Sequence, residues 1–144
     1  MQTGLFIKDS ITYTTREDLS VFIPHLFESL FIEVANKHHK NTIIGVIYRP
    51  NTAPKSDLNI FSTTYSEILE ILNNENKESV VMGDFNIDLL QFNKHNPTDG
   101  FVNNAFSQSF VPVITKPTKV IYTSATLIDH IYIQIMSLIL PIRV

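Results

Sequence analysis

Apolar residues fall into short runs separated by polar turns, with one longer stretch at helical spacing. Gly4 to Ile7 and Ile11 to Thr14 read as two short strands around the polar turn Lys8-Asp9-Ser10. Leu30, Ile32 and Val34 alternate with Phe31 and Glu33, the period-2 pattern of a strand. Thr42 to Tyr48 (TIIGVIY) is β-branched and almost wholly apolar, which predicts a central strand buried on both faces and ended by Pro50. Phe61, Tyr65, Ile68, Leu69 and Leu72 recur at helical spacing, so Asp57 to Asn73 is predicted as an amphipathic helix, with Ser56 and Asp57 as N-caps. Val80 to Met82 is a short strand, Phe101 to Phe106 a short helix, and Asp129 to Ile135 a last strand. On that strand Ile131, Ile133 and Ile135 share one face, and His130, Tyr132 and Gln134 the other. Strand, helix, strand in this order predicts an α/β layered fold.

The 144 residues suit one domain, and 44% hydrophobic against 17% charged residues suits a packed core. The formal charge of -3 argues against a protein held on DNA or anionic lipid by bulk electrostatics, but leaves room for a locally polar catalytic site. The absence of cysteine excludes disulfides, thiolate zinc sites and cysteine nucleophiles. The most apolar stretch, Ile131 to Ile142, falls short of the ~20 residues that span a bilayer and reads as a buried strand plus a loose tail. The apolar run near the start is too short for a signal peptide, so a soluble intracellular protein without a membrane partner is expected.

Three clusters at strand ends could carry chemistry, where α/β folds usually place sites. The first is Gly83-Asp84-Phe85-Asn86. If the extended conformation persists, Phe85 anchors the core while Asp84 and Asn86 share a polar surface. Asp84 then orients or deprotonates a water, and Asn86 donates to a phosphate oxyanion without adding negative charge. A lone Asp-x-Asn is more often an Asx-turn closing a strand. The second is Tyr48-Arg49-Pro50-Asn51, where a hydroxyl, a guanidinium and an amide can all donate to a phosphodiester. The bland alternative is a strand-ending turn with Arg49 solvated. The third is Ser124 to His130, in which Asp129 and His130 are neighbours on a strand and therefore point to opposite faces. Asp129 needs a histidine from elsewhere. His38 and His39 read as solvated turn residues, His25 as a packing or hydrogen-bonding residue among apolar neighbours, and His95 as a loop residue.

GVIYRPN, VVMGDFNIDLL and SATLIDHIY, in that order and separation, resemble the endonuclease/exonuclease/phosphatase family. More narrowly they resemble the apurinic-type endonuclease domain of non-LTR retrotransposons, which ESLFIEV at Glu28 to Val34 and the Pro117-Thr118 pair also fit. The resemblance covers about Gly4 to Gln134. It implies a DNase I-like four-layer α/β sandwich, two packed sheets flanked by helices, of which this chain is an incomplete, C-terminal portion. It also implies hydrolysis of DNA phosphodiesters with Mg²⁺ or Mn²⁺. By position, Tyr48 would contact the phosphate or nucleophile region, with Asn51 and Arg49 as substrate-binding residues. Asp84 would activate the attacking water and Asn86 would stabilise the oxyanion, both touching the metal. Asp129 would hold and polarise the catalytic histidine.

The family's early Asn, its principal metal Glu and its closing Ser-Asp-His motif have no counterpart here, and residues 138–144 carry no such motif. His130 belongs to the earlier Ile-Asp-His strand. Three functions follow as expectations: a metal-dependent endonuclease of a retroelement, nuclear by family inference; a non-catalytic remnant or binding module; or a phosphatase acting on a small phosphorylated molecule. Without the first strands of the sandwich, an edge of TIIGVIY or SVVMGDF is expected to lie unpaired.

Overall fold

The computed structural model describes residues 3–135; the apolar tail expected after Ile135 and the question of a terminal motif lie outside them. The elements run β1 (Tyr13–Thr15), β2 (Phe22–Ile23), β3 (Phe27–Val34), β4 (Thr42–Tyr48), α1 (Leu58–Glu75), β5 (Ser79–Asp84), α2 (Asn96–Ser107), β6 (Phe110–Pro112), β7 (Lys119–Ile121), β8 (Ser124–Thr126) and β9 (Asp129–Gln134). Short 3-10 turns lie at Lys55–Asp57 and Leu89–Gln91. One sheet has the order β1-β3-β4-β5-β9-β6, with β2 also on β3, and β7 and β8 form a separate ribbon. Only β4 and β5 are parallel, as their connection through α1 demands; the other pairs are antiparallel.

Strand alternation sorts the sheet into two unlike faces. Phe27, Phe31, Ile43, Ile47, Val81 and Tyr132 point to one face and join a single core with Phe61, Tyr65, Ile68, Leu69 and Leu72 of α1 and Phe101, Val102 and Ala105 of α2. Five rings form its centre: Phe61, Tyr65, Phe85, Phe101 and Tyr132, with the Tyr65–Phe101 centroids 5.3 Å apart and Phe101–Tyr132 6.2 Å apart. Each such ring pair contributes about 0.5–1.5 kcal/mol beyond its buried area. The other face carries Leu30, Val46, Met82 and Ile131, half-buried, and Ile133, 42% exposed.

Both faces depend on close strand approach. Gly83 has φ +143°, and a Cβ there would lie 1.8 Å from the Ile47 carbonyl oxygen of the paired strand. At Gly45 a Cβ would lie 2.1 Å from the Phe31 ring, which occupies that space instead. At the sheet end remote from Asp84, Arg16 bonds Asp18, Glu33 and Glu75, and Lys77 bonds Glu33 and Glu75, tying the end of α1 to β3.

Several sequence expectations change. Residues 3–8 form no strand: Leu5 and Ile7 are half-buried between exposed neighbours, but no ladder forms there among the described residues. The next strand begins at Tyr13 rather than Ile11. The long helix starts at Leu58 after a 3-10 turn and runs to Glu75, where Asn76 ends it in a left-handed conformation. Asp57 is its N-cap residue by position, yet no side-chain cap bond forms, and the Ser56 hydroxyl bonds the Asp57 carboxylate instead. The second helix begins at Asn96, earlier than its apolar spacing indicates, because Pro97 suits a first turn. The strand TIIGVIY has the expected bounds but is fully buried only at Ile43, Gly45 and Ile47, since helices cover one face alone. Neither it nor SVVMGDF is an edge: β4 lies between β3 and β5, and β5 between β4 and β9. No helix among the described residues is long and apolar enough to cross a membrane.

Phe85 touches Phe61, Tyr65, Phe101, His130 and Tyr132 and has no exposed surface. Phe85→Ala is expected to lower unfolding free energy by about 3–5 kcal/mol, measured by urea denaturation.

Candidate functional site

The register of four strands places polar side chains in one row. Glu28 pairs with Tyr48, Tyr48 with Asp84, and Asp84 with Asp129. Each is an even number of residues from an aliphatic residue of the open face, so the row continues that face at its end. Tyr48, Asp84 and Asp129 are half-buried. Burial pushes the Asp84 carboxyl above the usual carboxylate range, and the neighbouring Asp129 charge pushes the same way. The Asn86 N–H, donated to Asp84 Oδ1 at 3.1 Å, opposes both.

The extended conformation does not persist past Asp84. Asn86 has φ 49°, and the Asx-turn is real. Phe85 anchors the core as expected, and its N–H bonds the Ile128 carbonyl. The left-handed turn swings Asn86 towards Arg49: Asn86 Nδ2 donates to the Arg49 carbonyl at 2.6 Å, and Arg49 Nη1 donates to the Asn86 carbonyl at 3.3 Å. One N–H of the Asn86 amide is therefore committed to the backbone. The solvated alternative for Arg49 fails. Arg49 is 7% exposed, lies 5.7 Å over the Phe61 ring, and is pulled below its usual pKa by desolvation. Its Nε–H is buried without a hydrogen-bond partner.

Two cavities meet at exposed Asn51. One, about 500 Å³, is lined by Tyr48, Glu28, Pro50 and the turn around His25. The other, about 520 Å³, lies on the helix side and is lined by Arg49, Asn86, Lys55, Lys94, His95 and others. Tyr48 and Pro50 line the first and Arg49 the second, while Asn51 lines both. His25 does not pack into the core: it is exposed, with φ 64°, because its apolar neighbours turn away from it at the tip of the β2–β3 connection.

Two residues acquire roles that spacing alone did not assign. Thr118 Oγ1 accepts the N–H groups of Ile128 (3.2 Å) and Asp129 (3.1 Å), so the Pro-Thr pair fixes the start of β9. Asp88 accepts from the N–H groups of Leu90 and Leu127 and from Gln91 Nε2, pinning the segment after Asn86 to β9's approach. The Asp88 signal was present in the sequence as an Asp two residues past Asn86; only the tertiary contact to Leu127 distinguishes it. Asp129 and His130 do face opposite sides. His130 is 1% exposed, stacks on Phe85 at 4.7 Å, donates from Nε2 to the Ile87 carbonyl at 2.8 Å and accepts at Nδ1 from the Tyr132 hydroxyl.

No family model matches the sequence, and no curated protein does. Among solved structures the chain is similar to the endonuclease domain of TRAS1, a telomere-specific non-LTR retrotransposon, at 10% identity and TM-score 0.57, over 85% of this chain and 54% of that one. It is similar to the mannosyl-6-phosphatase Bt3783 of Bacteroides thetaiotaomicron at 13% identity and TM-score 0.54, over 88% of this chain and 52% of that one. It is also similar to the human Nocturnin catalytic domain at 15% identity and TM-score 0.54, over 85% of this chain and 48% of that one. These likenesses show the fold, the DNase I-like α/β fold of endonuclease/exonuclease/phosphatase structures. The chain spans about half the length of the solved structures it matches.

A divalent cation is what this fold implies, and the donor set here does not fit one. Mg²⁺ demands near-octahedral oxygen ligation. Asp84 and Asp129 are adjacent in register, but Glu28 stands two strands from Asp84, roughly 10 Å at the usual strand spacing. Among the described residues no three His, Cys, Asp or Glu side chains group closely enough to hold a metal.

Burial pulls the His130 pKa down to about 4. The folded value lies below the unfolded one near 6.5, so this stabilisation is complete above pH ~6.5 and is lost as pH falls towards 4. Between about pH 7.5 and 4.5 the loss is expected to reach about 2–3 kcal/mol, read by urea unfolding, and His130→Gln is expected to shrink that difference.

Proposed function

We propose that this chain carries the water-activating and phosphate-holding part of a DNA endonuclease site, and that alone it engages a phosphodiester without hydrolysing it efficiently. The observation that supports this is the row Tyr48–Asp84–Asp129, set by strand register on one face. Asp84, with its proton affinity raised, suits a group that orients and deprotonates a water. Tyr48, its register partner, and Asn51, just beyond the end of β4, are neutral donors to phosphate oxygens, which adds no negative charge to a dianionic transition state. Asn86 is held against Arg49, and both line the helix-side cavity with Asn51.

Inefficiency follows from the same geometry. No imidazole among the described residues bonds Asp129, because His130 is turned into the core. Two adjacent carboxylates do not make a cation cage. The net charge of -3 leaves DNA affinity to local contacts rather than to the whole surface.

A supercoiled-plasmid nicking assay with Mg²⁺ tests this. The 144-residue chain is expected to nick at background. A polypeptide extended so as to supply both a metal-binding carboxylate and an imidazole partner for Asp129 is expected to nick, with Asp84→Ala lowering the rate at least about 100-fold. Robust nicking by the 144-residue chain, abolished by Asp84→Ala, would contradict the proposal, as would turnover of a small phosphorylated molecule in place of DNA.

A further inference from the structure

The sheet face that the helices leave uncovered carries two aliphatic rows next to the polar one. Register sets Val46 beside Met82 and Met82 beside Ile131, and in the same way joins Ile44, Val80 and Ile133. On β6 and just after it, Val111 and Val113 extend these rows. No charged side chain interrupts them. Ile133 is 42% and Val113 45% exposed, and the others are half-buried.

The β3 end of this face is already covered. The Thr3 N–H bonds Glu28 Oε2, and at the far end of β3 the Ala35 N–H bonds the Thr12 carbonyl. β1 and β2 take one edge of β3 and β4 takes the other, so residues 3–8 run over β3 rather than beside it. Ile32, on this face, is accordingly 4% exposed. Leu5 and Ile7 are half-buried, Phe6 is fully exposed, and the segment joins no ladder among the described residues. At the opposite side of the sheet, β6 is the last strand. The fold thus presents an aliphatic face four strands wide, bounded on one side by an extended segment and on the other by a strand edge.

We infer that a second copy of this chain covers this face, the two sheets stacking into a closed sandwich. A copy brings the same right-handed twist and the same uncharged surface, which suits aligned packing of sheets about 10 Å apart. The covered end selects the symmetry. A two-fold axis across the strands would stack β3 on β3 and drive the two N-terminal segments into each other. An axis along the strands, between β5 and β9, stacks β4-β5-β9-β6 on β6-β9-β5-β4. Each N-terminal segment then lies beside the outer edge of the second copy's β6 and shields it. The polar rows of both copies fall at one end, about 10 Å apart. That exceeds the ~8 Å Debye length at physiological salt, so their repulsion is weak. Four strands about 4.8 Å apart and about six residues long give roughly 400 Å² in plan on each copy. With side-chain relief and the two edge contacts, about 1,000 Å² is buried in total, the lower limit for a specific interface, so a Kd in the micromolar range is expected.

Ile60 and Ile71 on the outer side of α1, 52% and 41% exposed, are the competing apolar surface. Sedimentation equilibrium of the 144-residue chain from about 1 to about 300 μM separates the two. A monomer–dimer equilibrium is expected. Ile133→Lys is expected to weaken it at least about tenfold by forcing a charge between two apolar faces, and Ile60→Lys to leave it unchanged. Unchanged Tyr65 and Leu69 amides verify the fold of each variant. The chain has no cysteine, so a spin label on Thr115→Cys, exposed and just beyond β6, is unique. Mixed with ¹⁵N-labelled chain, the spin-labelled chain is expected to broaden the Leu5 to Ile7 amides and to spare those of Ile60 and Ile71. A chain that stays monomeric to about 300 μM leaves the face to a different partner and overturns the inference. Dimerisation that survives Ile133→Lys, dimerisation that Ile60→Lys weakens as much, association that grows beyond the dimer, or Leu5 to Ile7 amides that stay sharp would each overturn it too.

Discussion

The parallel pairing of β4 with β5 is the constraint on which the molecule depends. It joins Tyr48 to Asp84 in register and leaves Asp84 beside Asp129 on the next strand. The pairing is possible only because Gly83 presents no Cβ to the Ile47 carbonyl. It is held from below by Phe85, whose ring is locked among four other aromatics and His130. Beyond β5 the backbone turns through left-handed Asn86, and Arg49 and Asn86 clasp each other by two hydrogen bonds. Loosening any one of these moves the polar row and the helix-side cavity together.

The same alternation produces both the core and the polar row. Odd-numbered positions of β3 and β4 meet the helices, while even-numbered positions form an aliphatic face that ends in Glu28 and Tyr48. Thr118 extends this order across a loop. By holding the N–H of Asp129 it sets where β9 begins, and therefore which residue stands opposite Asp84. His130, one residue on, falls on the core side and is kept neutral by burial.

Much of this was legible in the sequence because it follows from period and local chemistry. The bounds of TIIGVIY, the helical spacing of Phe61 to Leu72, and the opposed faces of Asp129 and His130 all follow from local side-chain periodicity. The family resemblance placed the three clusters in one fold, which the likeness to solved structures bears out. What escaped was set by tertiary contact. The second partner of β5 is β9, far along the chain, so whether SVVMGDF is an edge could not be read locally. Arg49 looked like a solvated turn residue until Phe61 came under it. His25 reads as a packing or hydrogen-bonding residue because its neighbours are apolar, and the turn geometry leaves it exposed.

The ionisation of Asp84 reports its closeness to Asp129 most directly. Carboxyl ¹³C chemical shifts of Asp84, followed against pH in the native chain and in Asp129→Asn, are the measurement. The expected result is an Asp84 carboxyl that titrates above the usual carboxylate range and moves down when Asp129 loses its charge. An Asp84 that titrates in the ordinary range and is indifferent to Asp129→Asn would contradict it.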